Sequence, residues 1–439
     1  MPRSAGVAVG SAATDAGASA AAPAARSWRR VWREGHHAGS IPTMTPTRRQ
    51  LLAAGAAALA PVPAAALPTA TPADLGIDLR RLQHAYDRLD EWTRGPNAPV
   101  PGGAILVGRN GKTLAPRFFG KQGPEPDAAP IRPDSLFLMA SITKPVVYMA
   151  AMMLVERGKL NLTDPVTRYV PEFAAHGKGA VLVSHLFTHT SGLPDMPPGN
   201  AELRRKHSDL KAFYAAAARD TTLAFPPGTS VSYQSCGTIV VADIVERLSG
   251  MPVAEFVKRE IFDPLGLAST RLGRGGLDRD RIVRVQLQDY MVGTDFGWNS
   301  RYWQDLGAPW GGMFSTPTDF AVVLHLLLSG GAVGGVRVLS PASVRMMTTN
   351  RLNDYPDLPE PLRRTQPWGL GWRLNHPGTP GSWGDLLGRD VFGHTGSTGT
   401  MAWADPRSGG FAVLLTNALR EKQPWRLVHL SNAVAAAFV

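Results

Sequence analysis

The sequence predicts an α/β (α+β) protein: an antiparallel sheet flanked by helices, with an inserted, mostly helical domain. Three observations predict it. Short strand-like runs broken by glycine and proline occur between residues 104 and 119, and again between 368 and 417. The stretch between them carries apolar residues at helical spacing. No repeat of roughly 20–50 residues divides the chain. Strands near both ends with helices between them imply one sheet assembled from the two ends. The resulting division is 67–135 with 366–439 as the sheet domain and 136–365 as the helical one.

The elements follow in order. Residues 78–94 place Leu79, Leu82, Ala85, Leu89 and Trp92 on one helical face. Ala104–Val107 and Thr113–Phe119 read as strands, joined by the Asn110-Gly111 hairpin signal. Residues 142–157 form an apolar helix with Gly158 as its C-cap. Residues 237–249 are a second helix ending at Gly250. Residues 317–329 are a third, opened by Pro317 and closed by Gly330-Gly331. The Pro- and Arg-rich stretch 350–366 reads as a long connection. Trp368–Leu374, Asp390–His394, Thr400–Ala404 and Gly410–Asn417 read as strands, the last two linked through Ser408-Gly409-Gly410. Residues 424–438 close the chain as a helix.

Composition narrows the function classes. Of 439 residues, 44% are hydrophobic and 18% charged, enough for a large core. The single cysteine, Cys236, excludes a disulfide framework within the chain and any zinc site needing two thiolates. The net charge of +11 invites a polyanion partner, but +5 of it lies in residues 1–66, on Arg3, Arg26, Arg29, Arg30, Arg33, Arg48 and Arg49 against Asp15 and Glu34. The rest is only mildly basic, and no nucleic-acid partner is expected.

Residues 44–67 carry Arg48-Arg49, an apolar run from Leu51 to Ala60, and Ala64-Ala65-Ala66. This pattern resembles a twin-arginine export signal, cleaved after Ala66, and predicts a periplasmic or extracellular protein with no stable membrane insertion. Residues 1–43 are Ala/Gly/Ser-rich and aperiodic. They read as a disordered leader or as sequence upstream of a start at Met44.

For chemistry, no serine fits the G-x-S-x-G elbow. Ser141-Ile142-Thr143-Lys144 offers another device. A lysine three residues after a serine shares its helix face one turn on, and the helix N-terminus favours negative charge developing at Ser141. Alone this pair is a weak signal.

Four ordered segments give it context: 137–173 (FLMASITKPVVYMAAMMLVERGKLNLTDPVTRYVPEF), 184–194 (SHLFTHTSGLP), 225–250 (FPPGTSVSYQSCGTIVVADIVERLSG) with 261–270, and 392–410 (FGHTGSTGTMAWADPRSGG). Together they resemble the serine β-lactamase-like superfamily of penicillin-binding proteins, class C β-lactamases and family VIII carboxylesterases, over roughly residues 78–435. The resemblance implies a β-lactamase/transpeptidase-like fold. It also implies Ser141 as acyl-forming nucleophile, Lys144 as its partner, and Tyr233 as general base or proton shuttle. The oxyanion hole would use the backbone N–H groups of Ser141 and Ser397. Ser235, His394, Thr395 and Gly396 would bind substrate. No metal or cofactor is implied.

Two departures bear on specificity. Ser235 stands where the family usually has asparagine, and a hydroxyl replaces only part of an amide's bonding. His394 stands where β-lactamases carry the lysine of Lys-Thr-Gly, and a neutral imidazole anchors an anion weakly.

These features predict an exported serine hydrolase acting on a small ester, amide or β-lactam, with ester hydrolysis favoured. The alternatives are a β-lactamase or D-alanyl-D-alanine carboxypeptidase, an amide hydrolase for small oligomers, and a silent protein that binds cell-wall peptides or a partner. Other groups have plainer readings. His185 and His189 have metal-ligand spacing but no third ligand. Cys236 reads as a small buried hydrophobe. The arginines at 271, 274, 279, 281 and 284 read as a solvated face. Tyr290, Phe296, Trp298, Tyr302, Trp303 and Trp310 line an apolar pocket or pack beneath a loop.

Overall fold

Alternation along the strands, and helices apolar on one face or all round, position the site in a computed structural model that describes residues 66–439 apart from 96 and 380–381. The export signal, all but Ala66, lies outside the described residues. β1 (Gly102–Arg109) turns at Asn110-Gly111 into β2 (Lys112–Thr113). Both turn residues have positive φ, 52° and 78°, as a two-residue hairpin with right-handed twist demands. The run predicted as one strand to Phe119 breaks here: only Arg117–Gly120 pairs again, as β3. β4 (Phe137–Leu138), β5 (Arg271–Leu272) and β6 (Met313–Ser315) form a separate three-stranded sheet, in the order β4-β6-β5, inside the stretch expected to be mostly helical. β7 (Ala332–Val333) and β8 (Val336–Arg337) make a small hairpin. β9 (Arg373–Leu374), β10 (Phe392–Gly396), β11 (Thr400–Ala404) and β12 (Gly410–Thr416) complete the main sheet.

Its order is β2-β1-β12-β11-β10-β9 with β3 also on β1, and every pair is antiparallel. β1 pairs with β12 from Gly103↔Thr416 to Arg109↔Gly410, so the early and late strands meet at the centre. The strand predicted over Trp368–Leu374 shortens to β9, joined to Trp368 only by an isolated bridge with Arg373.

Period-two alternation sorts the sheet's side chains into two cores. Ile105, Val107, Met401, Trp403, Ala412 and Leu414 face the helices Leu79–Trp92 and Trp425–Ala435. Ala104, Leu106, Ala402, Ala404, Val413 and Leu415 face the larger core, which includes the helices Thr143–Glu156, Cys236–Ser249 and Pro317–Leu328. The first helix is capped by Asp78, which accepts from the Arg80 N–H. The connection predicted over 350–366 holds a short helix, Glu360–Thr365. No helix among the described residues is long and apolar enough to cross a membrane.

Four of the five arginines at 271–284 are neutralised by acids elsewhere in the chain. Arg274 and Arg279 pair with Asp305, Arg281 with Asp134 and Arg284 with Glu125.

Candidate active site

Ser141 sits where β4 turns into the Thr143–Glu156 helix, and hydrogen bonds from three directions hold that turn. The Met139 N–H donates to Met313 O of β6 at 2.8 Å. The hydroxyls of Thr398 and Thr400 donate to the Leu138 and Met139 carbonyls at 2.7 and 3.0 Å, tying the turn to the main sheet. The Thr143 hydroxyl donates to Ala140 O at 2.6 Å and accepts from the Met313 N–H at 3.0 Å. Ala140 is consequently held at φ 48°, a left-handed conformation costly for a residue with a Cβ. Such strain persists only where the surroundings over-determine it, and here it lies directly before the serine.

Lys144 is 1% exposed, yet no carboxylate lies within ion-pair distance of it among the described residues. Its Nζ donates to Ser141 Oγ at 3.0 Å and to the Trp310 carbonyl at 2.8 Å. Burial lowers its pKa to about 7, opposed only in part by the Asp195 charge. A large fraction is therefore neutral at neutral pH, with a lone pair able to take the serine's proton.

Tyr233 lies over this pair, with Lys144 Nζ 4.9 Å from its ring centroid. His189, Trp368 and His394 surround the ring at centroid distances of 4.8, 6.0 and 6.0 Å. Desolvation raises the phenol's pKa above its usual value, while the Ser141 hydroxyl and the charges of Arg420 and Arg373 oppose the rise. The residue remains 40% exposed, so cavity water moderates the shift, but its direction keeps Tyr233 a neutral phenol.

β10 brings the His-Thr-Gly segment alongside. β9 covers only Phe392 and Gly393 of this strand, leaving the edge from His394 onward free for the serine's turn. Gly396 passes so close that a Cβ there would lie 2.6 Å from the Met139 carbonyl oxygen and 2.2 Å from Thr400 Oγ1. Thr395 and Ser397 line the same cavity as Ser141. The His394 ring is 4% exposed, and burial followed by the Lys144 charge lowers its pKa to about 3. Nδ1 donates to the Thr395 carbonyl at 2.7 Å, so Nε2 presents a bare lone pair, buried without a partner among the described residues.

Ser235 is engaged otherwise. Its hydroxyl and N–H both donate to Asp195 Oδ1, at 2.8 and 2.9 Å. The Asp195 carbonyl also accepts from the N–H groups of Ser235 and Cys236. This clamp sets the start of the Cys236–Ser249 helix. Cys236 itself is buried, and desolvation raises its pKa, keeping the thiol protonated. Neither histidine of the 185/189 pair points its Nδ1 at a shared ligand: they accept from the Leu182 and Gln234 N–H groups respectively.

All eight residues picked from the sequence thus gather round one cavity of about 520 Å³; His394, Thr395, Ser397, Ser235, Tyr233, Lys144 and Ser141 line it, and Gly396 backs it. The family model described as Beta-lactamase matches residues 88–437. The chain belongs to the Beta-lactamase family. It shares the β-lactamase/transpeptidase-like fold of that family of serine hydrolases. It is 27% identical over 385 residues to a protein of Escherichia coli O157:H7 named "Putative D-alanyl-D-alanine carboxypeptidase", covering 80% of this chain and 85% of the relative. Solved structures agree in fold. A penicillin-binding protein homologue from Caulobacter crescentus superposes with a TM-score of 0.64 at 22% identity, over 82% of this chain and 99% of that one. A family VIII carboxylesterase gives 0.64 at 21%, over 82% of this chain and 99% of that one.

Several cavity residues of this Beta-lactamase-family chain were not singled out from sequence. Asp195 clamps Ser235, and Trp310, read from the sequence only as a pocket or packing ring, holds Lys144 through its backbone carbonyl. Trp368 packs beside Tyr233 and His394. Arg373, paired through its backbone to Gly393, and Arg420, whose N–H donates to Ser397 O at 3.0 Å, flank His394. Arg420 acts on Arg373, and both charges lower the pKa values of Tyr233 and His394. Neither side chain has an ion pair or hydrogen bond among the described residues. Nothing local marks these positions, because their contacts join segments distant in sequence.

Proposed function

We propose that the protein is an exported acyl hydrolase that uses Ser141 as nucleophile on substrates with a free carboxylate beside the scissile bond. A carboxypeptidase acting on D-alanyl-D-alanine-type peptides fits this description best. The carrying observation is the 3.0 Å contact between Ser141 Oγ and a buried lysine whose pKa falls to about 7. Neutral Lys144 accepts the serine proton as Oγ attacks the carbonyl carbon. The Ser141 and Ser397 N–H groups receive the oxyanion. Tyr233, a neutral phenol, relays a proton to the leaving nitrogen while the carbonyl–nitrogen bond breaks. Water then releases the acyl group by the reverse relay.

The substrate class rests on Arg373 and Arg420. His394 cannot supply the positive charge of a lysine, which at the sequence level favoured an ester. The two unpaired guanidiniums beside it supply that charge instead. The family relative named as a carboxypeptidase fits this reading. Ester hydrolysis is the second reading, favoured by the neutral His394 and the ring-lined wall. In the division we propose, the site lies between the sheet domain (67–135, 366–439), which gives Arg373, His394, Ser397 and Arg420, and the helical domain (136–365), which gives Ser141, Lys144, Asp195 and Tyr233. Export is supported by the Arg48-Arg49 signal, and would place the mature N-terminus near residue 67.

A fluorophosphonate probe should label Ser141 in the folded protein and fail on Ser141→Ala. Release of D-alanine from an N-acyl-D-alanyl-D-alanine should exceed turnover of p-nitrophenyl butyrate in kcat/KM, and Arg373→Gln with Arg420→Gln should remove that advantage. Faster ester turnover that the double variant leaves unchanged would restore the esterase reading; absence of labelling would overturn the hydrolase itself.

A further inference from the structure

Away from His394, the same cavity holds a third guanidinium whose charge the fold does not neutralise. Arg204, on the short helix Asn200–Arg205, is 5% exposed and lines the cavity with Trp303. Its guanidinium carbon stands 4.5 Å from the centroid of the Trp303 ring, which fixes the plane of the group. Nε donates to Asn200 Oδ1 at 3.3 Å. Nη1 is buried without a partner, and so is the neighbouring Trp303 Nε1–H. No carboxylate lies within ion-pair distance of Arg204 among the described residues. Asp195, the acid that acts on it through space, is already engaged by Ser235.

Two unsatisfied donors beside one another at the wall of a cavity are expensive. A stranded buried donor gives up its hydration for nothing in return, and a charged one gives up more. An arginine retained only for packing would be expected to reach a carboxylate or a carbonyl, as Arg271 does at Leu267 O and Thr270 O. Arg204 is instead stacked, tethered at Nε, and left with its Nη edge uncommitted. That edge is the fork that binds a carboxylate in bidentate fashion. The position is separate from the other cationic point: Arg420 acts on Arg373 and both act on Tyr233, whereas Arg204 is acted on by Tyr290, Tyr302 and Asp195. Arg204 lines the cavity together with Ser141, Asp195, Trp303 and Trp310.

We propose that Arg204, stacked on Trp303, is a specificity-determining residue that binds a carboxylate carried by the acyl part of the substrate. This inference rests on the acyl-hydrolase reading and adds a second anionic group to the substrate, remote from the scissile bond. The acyl donor is then an amino-acid or peptide chain with its own side-chain carboxylate, not a simple fatty acyl group.

The test uses two acyl donors that differ only at the far end: the mono-p-nitrophenyl ester of glutaric acid, and the same ester with its distal carboxyl methylated. Neither leaving group carries a carboxylate, so Arg373 and Arg420 do not decide the comparison. The wild-type protein should prefer the free acid by ~30-fold in kcat/KM, the scale of one charged hydrogen-bonding anchor. Arg204→Met keeps the stem on Trp303 and removes a buried, uncompensated charge, so it should fold. It should lose the preference by slowing on the free acid alone, and Arg204→Lys should keep part of it. An unchanged preference in Arg204→Met, or an equal loss on both esters, would overturn the proposal. Free glutarate provides a reading that needs no turnover. It should raise the melting temperature of the wild type and not of Arg204→Met, and equal shifts would also overturn the subsite. Glutarate binding through Arg204 without hydrolysis of either ester would instead count against the catalytic reading alone.

Discussion

At the residue scale, Lys144 carries two consequences of one burial. In the proposed role of base for Ser141 it must be neutral, so kcat/KM should rise with pH along a single-proton limb centred near 7 and then level off. Lys144→Ala and Tyr233→Phe should each lose at least ~10²-fold in kcat, the low end for acid–base groups. A flat profile from pH 5 to 9 would remove Lys144 from that role. The same burial sets a stability signature. The unfolded chain keeps the lysine protonated up to its ordinary value of 10.5, whereas the folded protein releases the proton near 7. Between these values the unfolded state binds more protons, so folding gains as pH rises across the window, and the full cost is present below about 7. Lys144→Met should therefore be more stable than the wild type at pH 6, by on the order of 3 kcal/mol after loss of the Trp310 carbonyl bond. The advantage should shrink as pH rises and reverse before pH 10.5, where the lost carbonyl bond alone remains. Urea midpoints of both proteins at the two ends of this range provide the check, and a pH-independent difference would sink the idea.

At the element scale, the edge of β10 must touch the serine's turn for the proposed oxyanion donors, the Ser141 and Ser397 N–H groups, to converge. Gly396 allows that touch: any Cβ there meets the Met139 carbonyl and Thr400 Oγ1 at distances real side chains do not adopt. Gly396→Ala should push β10 from the turn and lower kcat by ~10²-fold or more, the cost of losing one oxyanion donor. The protein should stay folded by circular dichroism, since the collision is at a strand end. Near-normal kcat in this variant would show that the close approach is not needed. Elements with a strong local period were legible in the sequence: the Leu79–Trp92, Thr143–Glu156, Cys236–Ser249 and Pro317–Leu328 helices, and the β1–β2 hairpin with its Asn-Gly turn. The three-stranded sheet of β4, β5 and β6 was not, because each strand is two or three residues long and joins segments more than 130 residues apart at its extremes. Residues named by motif, Ser141, Lys144, Tyr233 and His394, could be read one by one. Trp310 was read only for its ring, because it is its carbonyl, not its side chain, that holds Lys144. Arg204, Arg373 and Arg420 escaped because an arginine's significance here lies in lacking a partner, a property of the whole packing.

At the scale of the molecule, the distribution of paired charge decides where the positive surplus is felt. Removing residues 1–66 leaves a modest excess of Lys and Arg over Asp and Glu. Much of the surface neutralises itself: Arg157 meets Glu260, Arg247 meets Asp243 and Glu172, and Asp305 serves both Arg274 and Arg279. In the cavity the balance differs, with Arg204, Arg373 and Arg420 unpaired while Asp195 is bound to Ser235 and Glu421 accepts from Gln288. Low-dielectric walls then focus a positive field at the mouth. Such a field speeds encounter with anionic substrates and is screened by salt, whose Debye length contracts to about 10 Å at 0.1 M. For the glutaric half-ester, kcat/KM should fall several-fold between ~20 and ~200 mM salt. The methylated ester should stay nearly level across the same series. Substituting Arg204, Arg373 and Arg420 together should flatten the first curve onto the second. A salt response of equal size for both esters would mean that the surplus acts on the fold or on Lys144, not on the approach of substrate.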